Sequence, residues 1–186
     1  MKKSHSHFLN LAFEQARINL GKTKSNPAVG CVVVNNNSVI SSGYTSLNGR
    51  PHAEYNALKL KKDYKNSDLY VTLEPCSHYG LTPPCTNLII KRKISRVYFS
   101  NYDVDQRSAK KLKITLSNKK IKSFKINQKF DNFYESYFIN RKKKIPLLDA
   151  KVAVSNDYYT IKLKDKWITS ELSRKRVHLI RSQYDA

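Results

Sequence analysis

The run Val29-Gly30-Cys31-Val32-Val33-Val34 constrains the fold most strongly. It is apolar throughout and rich in β-branched residues, so it reads as a strand buried on both faces. Such a strand needs a layer of structure on each side. Asn35-Asn36-Asn37 follows as a turn, and Ser38–Tyr44 reads as a return strand that completes a hairpin. Ahead of it, Leu9, Ala12, Phe13, Ala16 and Leu20 recur at helical spacing, with Gly21 as a stop. Beyond the hairpin the chain alternates. Helices are expected at His52–Lys62, with Ala53, Ala57, Leu58 and Leu60 on or near the buried side, and at Cys85–Arg92, Ser108–Leu116 and Phe130–Ile139. Strands are expected at Leu69–Leu73, Arg96–Ser100 and Ile121–Ile126. A hairpin followed by a βαβ rhythm predicts an α/β fold with a mixed sheet and helices on both faces.

Arg141-Lys142-Lys143-Lys144-Ile145-Pro146 breaks this rhythm and reads as a solvated linker, with a phosphate-binding patch as the sharper alternative. A short strand at Leu148–Val154 and a last helix near Ser170–Arg181 are expected after it. The net charge is +21, from 35 Lys and Arg against 14 Asp and Glu. That surplus invites a nucleic-acid partner, but 25 of the 35 cations lie in residues 91–186, away from the motifs described next. A basic balance alone reports on solubility and non-specific attraction, so nucleic-acid binding is set aside. No apolar run approaches the ~18 residues of a membrane span. Three cysteines are too few and too odd in number for a disulfide scaffold, which points to the cytoplasm.

The chemistry lies in His52-Ala53-Glu54, Pro75-Cys76 and Pro83-Pro84-Cys85. One imidazole and two thiolates offer zinc three ligands and leave a fourth position open, the ligand count of a catalytic site. His52 and Glu54 share the first turn of one expected helix, and Cys85 opens another behind prolines suited to a helix start. Zinc lowers the pKa of a water it holds to about 7. Glu54 is not needed as a ligand and is placed to carry a proton from that water to a departing amine. Each motif alone is weak; their order, with the strand Leu69–Leu73 running into Cys76, makes the joint signal strong. This is the layout of the zinc-dependent deaminases, with their H-x-E and P-C-x-x-C signature. Cys31, inside a strand, is read as packing.

Here eight residues, not two, separate Cys76 from Cys85. The segment Thr72-Leu73-Glu74-Pro75-Cys76-Ser77-His78-Tyr79-Gly80-Leu81-Thr82-Pro83-Pro84-Cys85 closely resembles the deaminase domain of the bifunctional riboflavin-biosynthesis deaminase/reductase. The likeness extends to Asn26-Pro27-Ala28-Val29-Gly30-Cys31 and Gly49-Arg50-Pro51-His52-Ala53-Glu54, and covers roughly residues 8–140. It implies a cytidine-deaminase-like three-layer α/β/α sandwich. It also implies a phosphorylated small-molecule substrate, 2,5-diamino-6-ribosylamino-4(3H)-pyrimidinone 5′-phosphate, which would lose its 2-amino group as ammonia. A homo-oligomer and a separate reductase are the implied partners. A tRNA-adenosine deaminase, whose insert is short, and a catalytically degenerate zinc scaffold are the competing readings.

By the same resemblance, Asn26, His78 and Asp103 are substrate contacts. Thr45 and Asp105 occupy substrate-contact positions where the family has His and Asn, and Leu81 stands where it has Lys or Arg. The family's Gly-x-Gly is replaced by Ser108-Ala109-Lys110-Lys111. Losing a cation and gaining an anion near a phosphate forfeits charge-assisted hydrogen bonds of roughly 1.5–3 kcal/mol each, for which Arg107 or Lys110 would compensate. Residues 1–145 are therefore read as the deaminase domain. In residues 146–186, Lys151-Val152-Ala153-Val154-Ser155, and Lys166-Trp167-Ile168-Thr169-Ser170-Glu171 with Arg176, His178, Arg181 and Asp185-Ala186, resemble the start of the family's reductase domain. A nicotinamide-binding domain needs ~100 residues or more, so no reductase activity is expected.

Overall fold

The strand Gly30–Asn35 (β1) is buried along all but its last residue and lies second from the edge of a five-stranded sheet. A computed structural model describes residues 4–60, 62–127, 131–160 and 167–184 of the chain. Ser38–Tyr44 (β2) returns antiparallel to β1 and forms one edge, and its burial alternates as an edge strand's should. Asp68–Leu73 (β3) is antiparallel to β1 on its other side. Arg96–Asn101 (β4) and Lys122–Lys125 (β5) add in parallel, giving the order β2-β1-β3-β4-β5. The sheet is mixed, as the hairpin-then-βαβ rhythm predicts.

Alternate residues of β1 feed two cores. Val32 and Val34 face the helix His5–Arg17 (α1), which buries Phe8, Leu9, Ala12, Phe13 and Ala16 along one stripe. Cys31 and Val33 face the other layer, with Ala57 and Leu58 of Ala53–Leu58 (α2), Ile89 of Cys85–Lys91 (α3), and Leu112 and Leu116 of Leu112–Ser117 (α4). The result is three layers, helix on sheet on helices. Two glycines set the spacing. A Cβ on Gly30 would lie 1.8 Å from the Ala12 carbonyl oxygen, and one on Gly43 would lie 2.4 Å from the Ala57 nitrogen. Any side chain at either position would push its helix off the sheet.

A 3₁₀ turn, Asp131–Tyr134, leads into Glu135–Lys143 (α5). Tyr134 anchors this segment in the core. The Gly30 N–H donates to Thr72 Oγ1 (3.1 Å), Thr72 Oγ1 is 2.5 Å from the Tyr134 hydroxyl, and that hydroxyl donates to the Ala28 carbonyl (3.2 Å). With one proton on each hydroxyl, Thr72 donates to Tyr134 and the chain of bonds is satisfied throughout. It ties α5 to the ends of β1 and β3.

Several expectations need correction. α2 ends at Leu58, and Leu60 is exposed rather than buried. α4 starts at Leu112 instead of Ser108, because Lys110 takes a left-handed conformation (φ 60°). The cations Arg141–Lys143 are not a linker; they form the last turn of α5, which ends at left-handed Lys144. Leu148–Val154 pairs with no strand, the sheet among the described residues having only the five members above. The last helix, Glu171–Arg181 (α6), forms as expected behind its Ser170 cap. Phe130, Lys166, Asp185 and Ala186, all named in the sequence analysis, lie outside the described residues. Among the described residues, no helix is long and apolar enough to cross a membrane.

Tyr134→Phe strands the buried Thr72 hydroxyl and the Ala28 carbonyl. It is expected to lower the unfolding free energy by about 1–3 kcal/mol, measured by urea denaturation.

Candidate active site

Parallel pairing of β3 with β4 brings their carboxyl ends together, where open α/β sheets place their crevices. The Glu74 N–H donates to the Asn101 carbonyl (2.8 Å) one residue beyond the ladder. From here β3 runs into Cys76 and β4 into Asp103. His52 caps the start of α2 and Cys85 opens α3, so these residues and Cys76 after β3 converge on one point.

Cys76 Sγ lies 3.7 Å and Cys85 Sγ 3.5 Å from the same nitrogen, His52 Nδ1. Zn–N of about 2.0 Å and Zn–S of about 2.3 Å at a tetrahedral angle place N and S about 3.5 Å apart. The donor set and its spacing therefore fit a zinc ion. The ligand atoms of the three residues all lie within 4.8 Å of one another. The thiols polarise each other. Hydrogen bonding with Cys85 and His52 holds Cys76 well below the usual thiol range, while the same contact with Cys76 and burial push Cys85 up. Cys76 is thus the ready thiolate, and its sulfur also accepts the Cys85 N–H (3.2 Å). The hydrogen bond to Cys76 raises His52.

Glu54 is 4% exposed in the first turn of α2. Burial pushes its carboxyl up to about 7, with the negative Cys76 adding to the effect and His52 opposing it. A group poised there can both take and give a proton near neutral pH. Cys31 is fully buried in β1, as its packing role requires.

The cleft at this point is lined by His52, Glu54 and Cys76, and also by Asn26, Thr45, His78, Asp103 and Asp105. All five expected substrate contacts thus reach it. Asn26 Nδ2 donates to the Gly49 carbonyl (3.0 Å). The Thr45 hydroxyl is already engaged, accepting from the Val29 N–H (3.0 Å) inside the core. His78 Nδ1 lies 2.6 Å from Ser108 Oγ, which also accepts the Ser77 N–H. Ser108 is fully buried, so its one proton goes to Nδ1, leaving His78 to present an Nε2–H donor. Asp103 Oδ1 accepts from the Asp105 N–H and the Tyr137 hydroxyl, both at 3.0 Å. Asp105 forms a two-point ion pair with Arg107 (2.9 and 2.6 Å), which holds its carboxyl well below the usual range. Leu81 is 87% exposed and lines no part of the cleft. Of the two suggested compensating cations, Arg107 lines the cleft and Lys110 does not.

Sequence reasoning missed Tyr137, which reaches the cleft from α5, and the cleft role of Arg50; Arg141, named there only within a run read as a linker or a phosphate-binding patch, reaches the cleft from α5 as well. It also missed the work of Glu74. Its buried carboxylate accepts three backbone N–H groups, from Asp103 (3.3 Å), Lys110 (2.9 Å) and Leu112 (3.1 Å). A larger cavity of about 800 Å³ adjoins the cleft between α1, α5 and the residues Pro146, Leu147, Gln183 and Tyr184, sharing Asn26, Pro27 and Tyr137 with it. It contains none of the three metal-ligand candidates, so the chemistry belongs to the smaller cleft.

The fold and this donor set are those of a zinc-binding deaminase. The chain belongs to the cytidine and deoxycytidylate deaminase family, whose zinc-binding region matches residues 2–101. It is similar to the riboflavin biosynthesis protein RibD of Actinobacillus pleuropneumoniae, at 36% identity over 186 residues, covering 96% of this chain and 49% of that protein. Among solved structures it resembles the diaminohydroxyphosphoribosylaminopyrimidine deaminase/5-amino-6-(5-phosphoribosylamino)uracil reductase of Thermotoga maritima. The TM-score is 0.85 at 33% identity, over 95% of this chain and 52% of that one. RibD of Acinetobacter baumannii matches with a TM-score of 0.83 at 32% identity, over 96% and 51%. The chain spans about half the length of the curated relatives it matches.

Glu74→Gln keeps the size but puts an amide NH₂ against backbone donors. The expected loss is about 1–3 kcal/mol of stability in urea, with faster amide exchange at residues 103–112 and unchanged zinc content.

Proposed function

We propose that the chain hydrolytically deaminates 2,5-diamino-6-ribosylamino-4(3H)-pyrimidinone 5′-phosphate. Water adds at the carbon bearing the 2-amino group, ammonia leaves, and 5-amino-6-(5-phosphoribosylamino)uracil results. The observation that carries the reading is the His52–Cys76–Cys85 cluster beside buried Glu54, in a cleft that includes His78 of the eight-residue insert. Similarity to RibD proteins over nearly the whole chain supports the substrate.

In this reading His52, through Nδ1, and the sulfurs of Cys76 and Cys85 hold the zinc. Zinc, when bound, supplies Lewis-acid stabilisation and makes water nucleophilic near neutral pH. Glu54 accepts the proton from the attacking water and returns it to the departing amine. Its burial raises its proton affinity and so poises it to exchange that proton. Asn26 and the His78 Nε2–H orient the pyrimidine. Asp103, held by Tyr137, accepts from the ribose hydroxyls. Asp105 acts through its pair with Arg107, and Thr45 serves as cleft wall. Residues 1–145 are the deaminase unit and residues 146–186 correspond to the opening of a reductase domain; no reductive step is assigned to this sequence.

The test is ammonia release from the pyrimidinone phosphate by the purified, zinc-loaded chain. Glu54→Gln is expected to keep about one zinc per chain while lowering kcat about a thousandfold or more. His52→Ala, Cys76→Ser and Cys85→Ser are expected to lose both metal and activity. Turnover of a tRNA anticodon stem-loop in place of the pyrimidinone would overturn the reading.

A further inference from the structure

The basic run after Tyr137 is absorbed by neither the fold nor the reaction described so far. α5 carries Tyr137 and Arg141 four residues apart, hence on one face of the helix. Both line the metal cleft, whereas Lys142, Lys143 and Lys144 are exposed and do not. The Arg141 guanidinium lies over the Tyr137 ring (5.6 Å to the centroid), and its NH2 group donates to the Ser25 carbonyl (3.1 Å). Its Nε is buried and has no hydrogen-bond partner. Tyr137 in turn bonds Asp103, so Arg141 stands next to the residue that would hold the ribose.

The other cations of the cleft are less available. Arg107 is held at two points by the Asp105 carboxylate. Arg50 donates to Thr82 Oγ1 (2.9 Å) and sits two residues from His52, at the metal end. No carboxylate among the described residues pairs with Arg141. A half-buried guanidinium with no carboxylate partner and an unbonded Nε retains donors suited to a planar or tetrahedral oxyanion.

We propose that Arg141 is a specificity-determining residue that binds the phosphate of the substrate, taking over the role of the cation absent at Leu81. This rests on the deaminase reading above and adds to it the residue that distinguishes a phosphorylated substrate from its free ribosyl counterpart. Arg107, by neutralising Asp105, keeps that carboxylate from repelling the same anion.

The experiment compares the zinc-loaded full chain with Arg141→Gln, Arg141→Lys and Lys143→Gln. Each is assayed on the pyrimidinone ribosyl phosphate and on the dephosphorylated ribosyl compound. Arg141→Gln is expected to raise KM for the phosphorylated substrate about tenfold to a hundredfold, the range of a lost charge-assisted hydrogen bond, with kcat little changed. It should leave the dephosphorylated compound unaffected. Arg141→Lys should recover part of the loss, and Lys143→Gln should match wild type. An unchanged KM, or equal losses on both compounds, overturns the assignment, the second pattern marking a purely structural role. If wild type turns over neither compound, the deaminase reading fails separately. Calorimetric titration with ribose 5-phosphate then decides the subsite: weaker binding by Arg141→Gln supports it, and equal or absent binding overturns it.

Discussion

The Glu74 carboxylate is the contact on which the cleft depends. It is 3% exposed, at the point where β3 ends. A carboxylate taken out of water loses solvation that must be replaced by directed donors. Here three backbone N–H groups supply them, two from one irregular segment and one from the first residue of α4, and burial still leaves its pKa raised. The exchange has a structural consequence. Residues 103–111 contain no regular helix or strand, yet they carry Asp103, Asp105, Arg107 and Ser108. Glu74 fixes that segment at two places, and the segment then fixes His78 through Ser108 and orders the Asp105–Arg107 pair. One side chain thus sets the geometry of both the pyrimidine-facing and the ribose-facing parts of the proposed site.

The metal end is organised by a different constraint. Two thiols and an imidazole crowd to within hydrogen-bonding range, so they cannot titrate independently. One sulfur is driven toward thiolate and the other toward thiol. A divalent cation resolves this conflict, because it stabilises both sulfurs as thiolates and replaces the shared proton. Glu54, buried beside them, feels the same cluster, which couples its proton affinity to the charge held by the ligands.

The chemistry-bearing residues were legible in sequence because each lies at a junction marked locally. His52-Ala53-Glu54 opens a helix, Pro75-Cys76 ends a strand, and Pro84-Cys85 opens another helix. The run from Val29 to Val34 announced its two-sided burial by composition alone. Tyr137 and Ser108 carried no such mark, and Arg141 was marked only by its charge. Their roles follow from how α5 and the 103–111 segment dock against distant strands, through Tyr134 to Thr72 and Glu74 to Lys110. The cations of Arg141–Lys143 misled because their charge resembles a solvated linker. At the carboxyl end of a helix the same charges face the negative end of its dipole and extend it. Leu148–Val154 misled in the opposite sense. Its alternation suits a strand, but no sheet edge among the described residues receives it.

The charge of +21 acts at a different scale from the cleft. Inside the cleft, Arg50, Arg107 and Arg141 face Glu54, Glu74, Asp103 and Asp105, so the lining is close to balanced. A balanced lining cannot select an anion by net field; it selects by which donors remain unpaired. The surrounding lysines work at longer range, where a positive field raises the local concentration of small anions and is screened within about 10 Å at 0.1 M salt. Capture and recognition are therefore separable. Added salt should act chiefly on capture, which the exposed lysines share among themselves. Recognition should vary with individual donors, because within the cleft each unpaired cation counts singly.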